Sequence, residues 1–169
     1  MTDGEGRDER KDLAGEHKFS DIGQLLLLFI FLTVWIVDSF VFGYSTFISN
    51  YVPRYAKIPL SVTLLVSAGY LARAGLKTVF GEIRKEPSVI RKGVFGIVRH
   101  PIYLGSILFY SGLLVLTLSI IAAAVWILII AFYCFISKYE EKLLLEKFGK
   151  NYEEYKEEVP MLIPRIRRK

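Results

Sequence analysis

The residue types best suited to chemistry in this sequence stand together at residues 99–105, Arg-His-Pro-Ile-Tyr-Leu-Gly, where a long apolar stretch begins. Pro101 has a φ already near the helical value and needs no N–H partner, so it predicts the first turn of a helix. The unpaired N–H groups and positive dipole end of that helix would lie beside Arg99, while His100 and Tyr103 would share one face. This pattern indicates an anion-attracting corner. The alternative is an interfacial cluster in which Arg99 snorkels and both rings join an aromatic belt.

A second polar pair, Glu140 and Glu141, follows the last apolar stretch. If that stretch folds back on itself, Ser137 returns to the level of Pro101, and one of the two carboxylates faces the His-Tyr corner. Carboxylate, phenol, imidazole and helix N–H groups together suit a zwitterionic, hydroxyl-rich ligand at the membrane surface. The alternative for this pair is a solvated helical turn.

The composition is that of a membrane protein. Of the 169 residues, 53% are hydrophobic and 14% aromatic, and the mean hydropathy is +0.38, which is unlike a soluble domain. Cys134 is the only cysteine, so no intrachain disulfide can form, and His17 and His100 do not suggest a metal pair. The net charge of +5 lies at the flanks of apolar segments, which indicates anionic headgroups. We therefore expect contact with membrane lipids, no nucleic-acid partner and no metal site.

Charge and apolar residues divide the chain into three regions. Residues 1–20 carry both charge signs and glycine, which predicts a mobile cytoplasmic tail. Residues 21–80 predict two transmembrane helices, at about residues 22–44 and 58–80, each long enough for a hydrocarbon core of about 30 Å. Residues 81–169 are expected to form the cofactor-binding catalytic region, with a loop, a transmembrane hairpin and C-terminal helices.

The apolar stretch at residues 101–137 is too long for one straight span, because a single helix would extend about 55 Å. We predict a tight helical hairpin that turns near residues 117–119. Gly105 and Gly112 lie roughly on one face of the first arm and would let the two arms pack closely.

After the hairpin, helical spacing continues toward the C-terminus. An apolar stripe predicts a helix that packs on the cytoplasmic face, and Asn151 followed by Glu154 resembles a capping box that opens a second one. The residues of these inner faces are Leu144, Leu145, Phe148, Tyr152, Tyr155 and Val159. The predicted fold is an all-α integral membrane protein with about four transmembrane helices, including a tight C-terminal hairpin, followed by a cytoplasmic amphipathic helix.

Lys and Arg counts predict the orientation. The N-terminal tail has four, residues 50–57 have two, residues 77–99 have six, and the stretch after Ser137 has nine. The positive-inside rule then makes this a multi-pass membrane protein with both termini and the active site cytoplasmic.

Asp38 and Arg73 are the charged residues that lie deepest in the predicted spans. Asp38 lies in the second half of the first span, where a buried carboxylate is often functional, or it is neutral and hydrogen-bonded near the outer interface. Arg73 in the second span either snorkels to the cytoplasmic interface or faces a polar cavity and holds an anionic substrate group.

The second half of the chain resembles the isoprenylcysteine carboxyl methyltransferase family and its phospholipid methyltransferase relatives. The resemblance lies in residues 99–105, in the run Glu140-Glu141-Lys142-Leu143-Leu144, and in Phe148, Gly149, Tyr152, Tyr155, Val159, Pro160 and Pro164. The resemblance covers about residues 91–165. Residues 1–90 resemble the family only in having two preceding spans.

The resemblance implies an enzyme that uses S-adenosylmethionine. Carried over by position, the cofactor-binding residues are Arg99, His100, Pro101, Tyr103, Leu104, Gly105, Glu140 and Glu141. Ser106 stands where the carboxyl methyltransferases often have an acidic residue, and Lys138 where they often have an arginine. We expect Glu141 to act in catalysis, and Arg73 or Lys138 to pair with a substrate carboxylate.

The resemblance also implies a lipophilic small-molecule or prenylated substrate that enters from the bilayer. A carboxylate is already a nucleophile and needs alignment more than a general base, whereas a protonated amine would need a base such as Glu141 or His100. The alternatives are a lipid or small-molecule amine N-methyltransferase, a non-catalytic membrane scaffold of the same fold, and a nicotinamide-dependent reductase on a related helical fold.

Overall fold

The computed structural model describes residues 18–81 and 88–164, with only the backbone described for residues 18–20. Five α-helices form it: α1 (Lys18–Ile36), α2 (Arg54–Phe80), α3 (Pro101–Thr117), α4 (Ile120–Phe148) and α5 (Lys150–Glu158). A π-helical segment, Val37–Phe42, prolongs α1, and short 3₁₀ turns lie at Phe47–Asn50 and Gly93–Gly96. The described ranges contain no strand, so the all-α class is confirmed.

Three helical stretches are long and apolar enough to cross a membrane: Asp21–Phe42, Arg54–Phe80 and Ile120–Phe148. The fourth apolar helix, α3, has 17 residues, or about 25 Å, which is at the lower limit for a span. Across the described residues the count is therefore three long spans and one short apolar helix, where four spans were predicted. Of the tail predicted at residues 1–20, residues 1–17 lie outside the described part of the chain. Residues 18–20 belong to α1, which begins at Lys18.

Two helices, not one, cover the long apolar stretch, and the chain breaks at Leu118 and Ser119, inside the predicted turn. Leu118 has φ 51°, in the left-handed region that ends many helices. Ser119 then caps α4, because its Oγ accepts the Ala122 N–H at 3.0 Å.

The close packing partner of α3 is α2, not α4. A Cβ on Gly105 would lie 3.1 Å from the Ala68 carbonyl oxygen, and one on Gly112 would lie 2.8 Å from Leu65, both on α2. Ser61 Oγ also donates to the Gly112 carbonyl at 2.7 Å. The prediction that these glycines join the two arms of a hairpin is wrong: they bring α3 against α2, as small residues do between membrane helices.

Larger side chains hold α1, α3 and α4 together. Phe31 of α1 meets Tyr110 of α3 edge to face, with ring centroids 4.8 Å apart, and both belong to a core cluster with Ile129 and Tyr133 of α4. Trp126 Nε1 donates to Ser111 Oγ at 3.1 Å between α4 and α3. Bulky aromatic contacts and single polar bonds therefore join α4 to α3, in contrast to the glycine contacts with α2.

Asp38, in the π-helical segment after α1, links that segment to the α3–α4 turn by hydrogen bonds. The carboxylate is 4% exposed and accepts from Ser45 Oγ and Ser119 Oγ, each at 2.5 Å, and from the Ser45 N–H at 3.2 Å. The hydrogen bonds expected in one alternative for Asp38 are therefore present, while its charge state and its depth in the membrane stay predictions. Because Ser119 also caps α4, the same carboxylate orients the start of that helix.

At the other end of α4, Gly149 separates it from α5 with φ 52°. The inner face of α5 packs as predicted: Tyr152, Tyr155 and Val159 are buried against Leu144, Leu145 and Phe148. The capping box predicted at Asn151 is wrong, because α5 begins at Lys150 and its N-cap is Gly149.

Substituting Gly105 by Leu should separate α2 from α3 and lower the free energy of unfolding by about 1–3 kcal/mol, because the tight neighbour at Gly105 is rigid helix backbone. Gly69→Leu on α2 is the matched control, since a Cβ there meets nothing within 4 Å, and it should leave stability equal or higher. Unfolding in mixed micelles, followed by fluorescence of the two tryptophans, measures both. Equal losses in the two variants would contradict this account of the packing.

Candidate active site

The start of α3 is covered by the segment that follows α5. The Arg99 N–H donates to the Pro160 carbonyl at 2.9 Å, and the His100 N–H donates to the Met161 carbonyl at 3.1 Å. His100 is the N-cap residue of α3 and Pro101 its first helical residue, as predicted. This backbone pairing fixes the position of the C-terminal segment relative to the helix start.

The Arg99 side chain links three parts of the fold. Its Nε donates to Glu141 Oε1 of α4 at 2.8 Å, and one terminal NH group donates to the carbonyls of Lys156 and Val159 at 2.7 and 2.8 Å. Both ionic side chains are nearly buried, at 9% and 7% exposure. Charge-assisted bonds in such a place are strong, since little water competes for them.

His100 and Tyr103 stack on each other one turn apart, with ring centroids 5.5 Å apart and planes within 1°. The Tyr103 hydroxyl donates to Glu140 Oε1, and His100 Nδ1 lies 3.6 Å from Glu140 Oε2. On the other side of the stack Tyr103 meets Tyr133, with centroids 5.2 Å apart. The start of α3 and the end of α4 therefore meet at a stack of aromatic rings edged by carboxylates.

Glu141 has cationic or imidazole groups on several sides. Besides Arg99, Lys156 Nζ of α5 lies 3.7 Å from Oε2 and His100 Nε2 lies 3.4 Å from Oε1. The Nε2 atom of His100 is buried yet makes no hydrogen bond within the part of the chain described. Each nitrogen of this imidazole therefore faces a carboxylate of the Glu pair, Nδ1 toward Glu140 and Nε2 toward Glu141.

The structure brings five predicted residues together in one cluster: Arg99, His100, Tyr103, Glu140 and Glu141. We call these five the carboxylate cluster. Pro101 and Gly105 adjoin it by shaping α3, and Leu104 is half-buried in the same first turns of the helix.

Arg73 and Lys138, the residues predicted to pair with a substrate carboxylate, are both exposed. Neither forms an ion pair with the carboxylate cluster among the described residues. Their role toward a substrate stays a prediction.

Sequence reasoning missed the contribution of α5 to the site. Lys156 reaches Glu141, and two carbonyls at the end of α5 accept from Arg99. Tyr155 donates to the Phe95 carbonyl at 2.6 Å, and burial raises the pKa of Tyr155, so this hydroxyl keeps its proton at neutral pH. The helical spacing of the buried tyrosines predicted which face of α5 packs inward, but not that its carbonyl end meets Arg99.

The donors and acceptors present fit S-adenosylmethionine. The two carboxylates can accept from ribose hydroxyls or an ammonium group, and the first N–H groups of α3 can donate to a carboxylate. The His100 and Tyr103 rings, stacked at the start of α3, can contact the adenine of the cofactor. The described residues contain no group of three or more His, Cys, Asp or Glu side chains arranged to hold a metal ion.

Substituting Arg99 by Lys should loosen α5 while keeping the charge, because an ammonium cannot donate to Glu141 and both carbonyls in the same fork geometry. Amide hydrogen exchange across residues 150–161 should become about 10- to 100-fold faster. Arg91→Lys is the control. Arg91 also contacts α5, through the Asn151 carbonyl and at 3.7 and 3.6 Å from Glu154 and Glu158, but these contacts are exposed to water and worth little. Equal acceleration in both variants would contradict a special role for Arg99.

Comparison with known proteins agrees with the resemblance found in the sequence. Residues 58–151, more than half of the chain, match the family described as phospholipid methyltransferase. The chain is 33% identical over 86 residues to protein-S-isoprenylcysteine O-methyltransferase B of Arabidopsis thaliana, which is 49% of this chain and 44% of that protein. It is 28% identical over 157 residues to methanethiol S-methyltransferase of Crocosphaera subtropica, which is 89% of this chain and 60% of that protein. The chain thus spans less than two thirds of the length of either relative. Because residues 58–151 match the family, the chain belongs to the phospholipid methyltransferase family.

Proposed function

We propose that this chain is an S-adenosylmethionine-dependent methyltransferase that acts at the membrane surface on the carboxylate of a lipophilic, prenylated substrate. The observation that carries the proposal is the carboxylate cluster, in which Glu140 and Glu141 of α4 meet His100 and Tyr103 at the start of α3. Membership of the phospholipid methyltransferase family supports it. The positive-inside rule, applied to the Lys and Arg distribution, supports a cytoplasmic position for the cluster and both chain ends.

The two carboxylates differ in what they can do. Glu141 is held by Arg99 and approached by Lys156, and its side chain is 7% exposed, whereas that of Glu140 is 18% exposed. We assign Glu140 to direct contact with the hydroxyl or ammonium groups of the cofactor. Glu141 also contacts the cofactor, and through Arg99 and Lys156 it holds α5 in place. When bound, the cofactor supplies a methyl group already activated on its sulfonium.

For a carboxylate acceptor, this chain has mainly to align the acceptor with that methyl group and to exclude water. The acceptor would enter from the bilayer between the apolar helices. The segment after α5, which pairs with the Arg99 and His100 N–H groups, limits access of water to the start of α3. Arg73 and Lys138 are the candidates to pair with the acceptor carboxylate. Since both are exposed, this pairing would draw the acceptor to the lipid-facing side of the cluster.

A small thiol is the second candidate acceptor, because the match to methanethiol S-methyltransferase covers 89% of this chain. A thiol or an amine has to lose a proton before it attacks the methyl group. Glu141 is poorly placed as the base, since Arg99 stabilises its ionised form. His100 is the alternative base, because its imidazole lies between the two carboxylates at the start of α3. Mild base releases the methyl group of an ester but not that of a thioether or methylamine, so labelled product separates the acceptor classes.

The purified chain should bind S-adenosylmethionine and its demethylated product saturably, in the micromolar range. Tyr103→Phe and Glu141→Ala should each weaken binding by about 1–3 kcal/mol, since each removes one partner of a buried polar contact. Isothermal titration calorimetry in lipid-supplemented detergent measures both. Tyr51→Phe and Glu146→Ala are matched controls, because Tyr51 and Glu146 are exposed and lie outside the cluster.

Two results would contradict the proposal. If folded protein bound neither compound in the presence of lipid, both the carboxyl and the thiol or amine forms of the proposal would fail, leaving the scaffold or the reductase. If the compounds bound but all four variants bound them equally well, the cofactor site would lie outside the carboxylate cluster.

A further inference from the structure

One face of α2 is turned away from the rest of the fold. Val62, Val66 and Tyr70 on this face are 52%, 67% and 65% exposed, and Arg73 and Lys77 are also exposed. Their spacing of three and four residues places them in one line along the helix. We call this line, residues 62, 66, 70, 73 and 77, the α2 lipid face. It is apolar over its first half and cationic over its second.

The packing of α2 against α3 fixes the depth of the two cations. A Cβ on Gly75 would lie 2.6 Å from Ile102, and one on Gly105 would lie 3.4 Å from the Ala72 N–H nitrogen. Arg73 is therefore level with the first turns of α3, at the same membrane edge as the carboxylate cluster. Lys77 lies one helical turn, about 5–6 Å, closer to water.

Neither cation has an ion-pair partner within the described ranges. The sequence of α2 contains no Asp or Glu, so its own helix offers none. A cation on the lipid side of a helix is costly unless it reaches water or meets an anion. Nothing among residues 18–81 and 88–164 offsets these two positive charges, whereas the anionic headgroups at a membrane surface can.

The dimensions of the face match a lipid. From residue 62 to residue 77 the helix rises about 22 Å, which corresponds to the hydrocarbon of one leaflet plus its headgroup layer. Gly69 adjoins the apolar half, and a Cβ there would meet nothing within 4 Å. An acyl chain can approach the helix backbone closely at that point.

We propose that the α2 lipid face binds an anionic phospholipid, with its phosphate at Arg73 and Lys77 and one acyl chain along Val66, Gly69 and Tyr70. Among the described residues no carboxylate pairs with the two cations, which favours a headgroup of net negative charge over a zwitterionic one. The site does not depend on the methyl-donor site at the start of α3, but it takes up Arg73 and so leaves Lys138 as the candidate to pair with an acceptor carboxylate.

The test is native mass spectrometry of the full chain in detergent, titrated with phosphatidylglycerol or phosphatidylcholine. Wild type should bind the first phosphatidylglycerol more tightly than phosphatidylcholine. Arg73→Gln and Lys77→Gln should each weaken phosphatidylglycerol binding about fivefold, the effect of one cation near an anionic headgroup. Phosphatidylcholine binding should change less than twofold.

Two controls define the site. Arg54→Gln removes an exposed cation from the opposite end of the same helix and should leave the phosphatidylglycerol affinity unchanged. The charge-conserving double variant Arg73→Lys with Lys77→Arg should keep the preference.

Three results would overturn the proposal. One is equal affinity of wild type for the two lipids, and another is equal weakening by Arg54→Gln. The third is an Arg73→Gln variant that binds phosphatidylglycerol normally and raises only the KM for an acid acceptor, which would assign Arg73 to the substrate.

Discussion

The nearly buried ion pair between Arg99 and Glu141 is the contact on which the arrangement of the site depends. It joins the residue before α3 to the end of α4, and the same guanidinium holds two carbonyls at the end of α5. Removing one partner of such a pair leaves an uncompensated buried charge, which costs about 3–5 kcal/mol. The pair is therefore less a source of stability than a constraint that gives these segments one relative position.

The opposite end of the fold has a comparable constraint. Asp38 bonds to Ser45 and Ser119 and so fixes the α3–α4 turn against the end of α1. Between these two polar ends, α3 is held in register along α2 by close backbone contact at Gly105 and Gly112. With both ends and one side of α3 fixed, His100 and Tyr103 have a defined place opposite the Glu pair of α4, which suits a site that works by alignment.

Short-range patterns in the sequence predicted the elements well. Proline at the first position of α3, the turn near residue 118 and the buried face of α5 each follow from local helix chemistry. Helix pairing was harder, because a glycine stripe shows that some helix comes close but not which one. Gly105 and Gly112 were therefore expected to pack against α4, whereas in the structure they pack against α2. The same limit applies to the site: the cluster of Arg99, His100, Tyr103 and the Glu pair was expected, whereas Lys156 and the carbonyls of α5 reach it through tertiary packing that no local pattern specifies.

We propose that the methyl donor binds where α3 begins and α4 ends. Ultraviolet cross-linking of S-adenosylmethionine labelled in its methyl group to the full chain, followed by peptide mapping, tests it most directly. We expect label in peptides that contain residues 99–105 or 137–148, and protection by excess demethylated product. Label confined to α1 or α2, or label that excess product does not reduce, would contradict the claim.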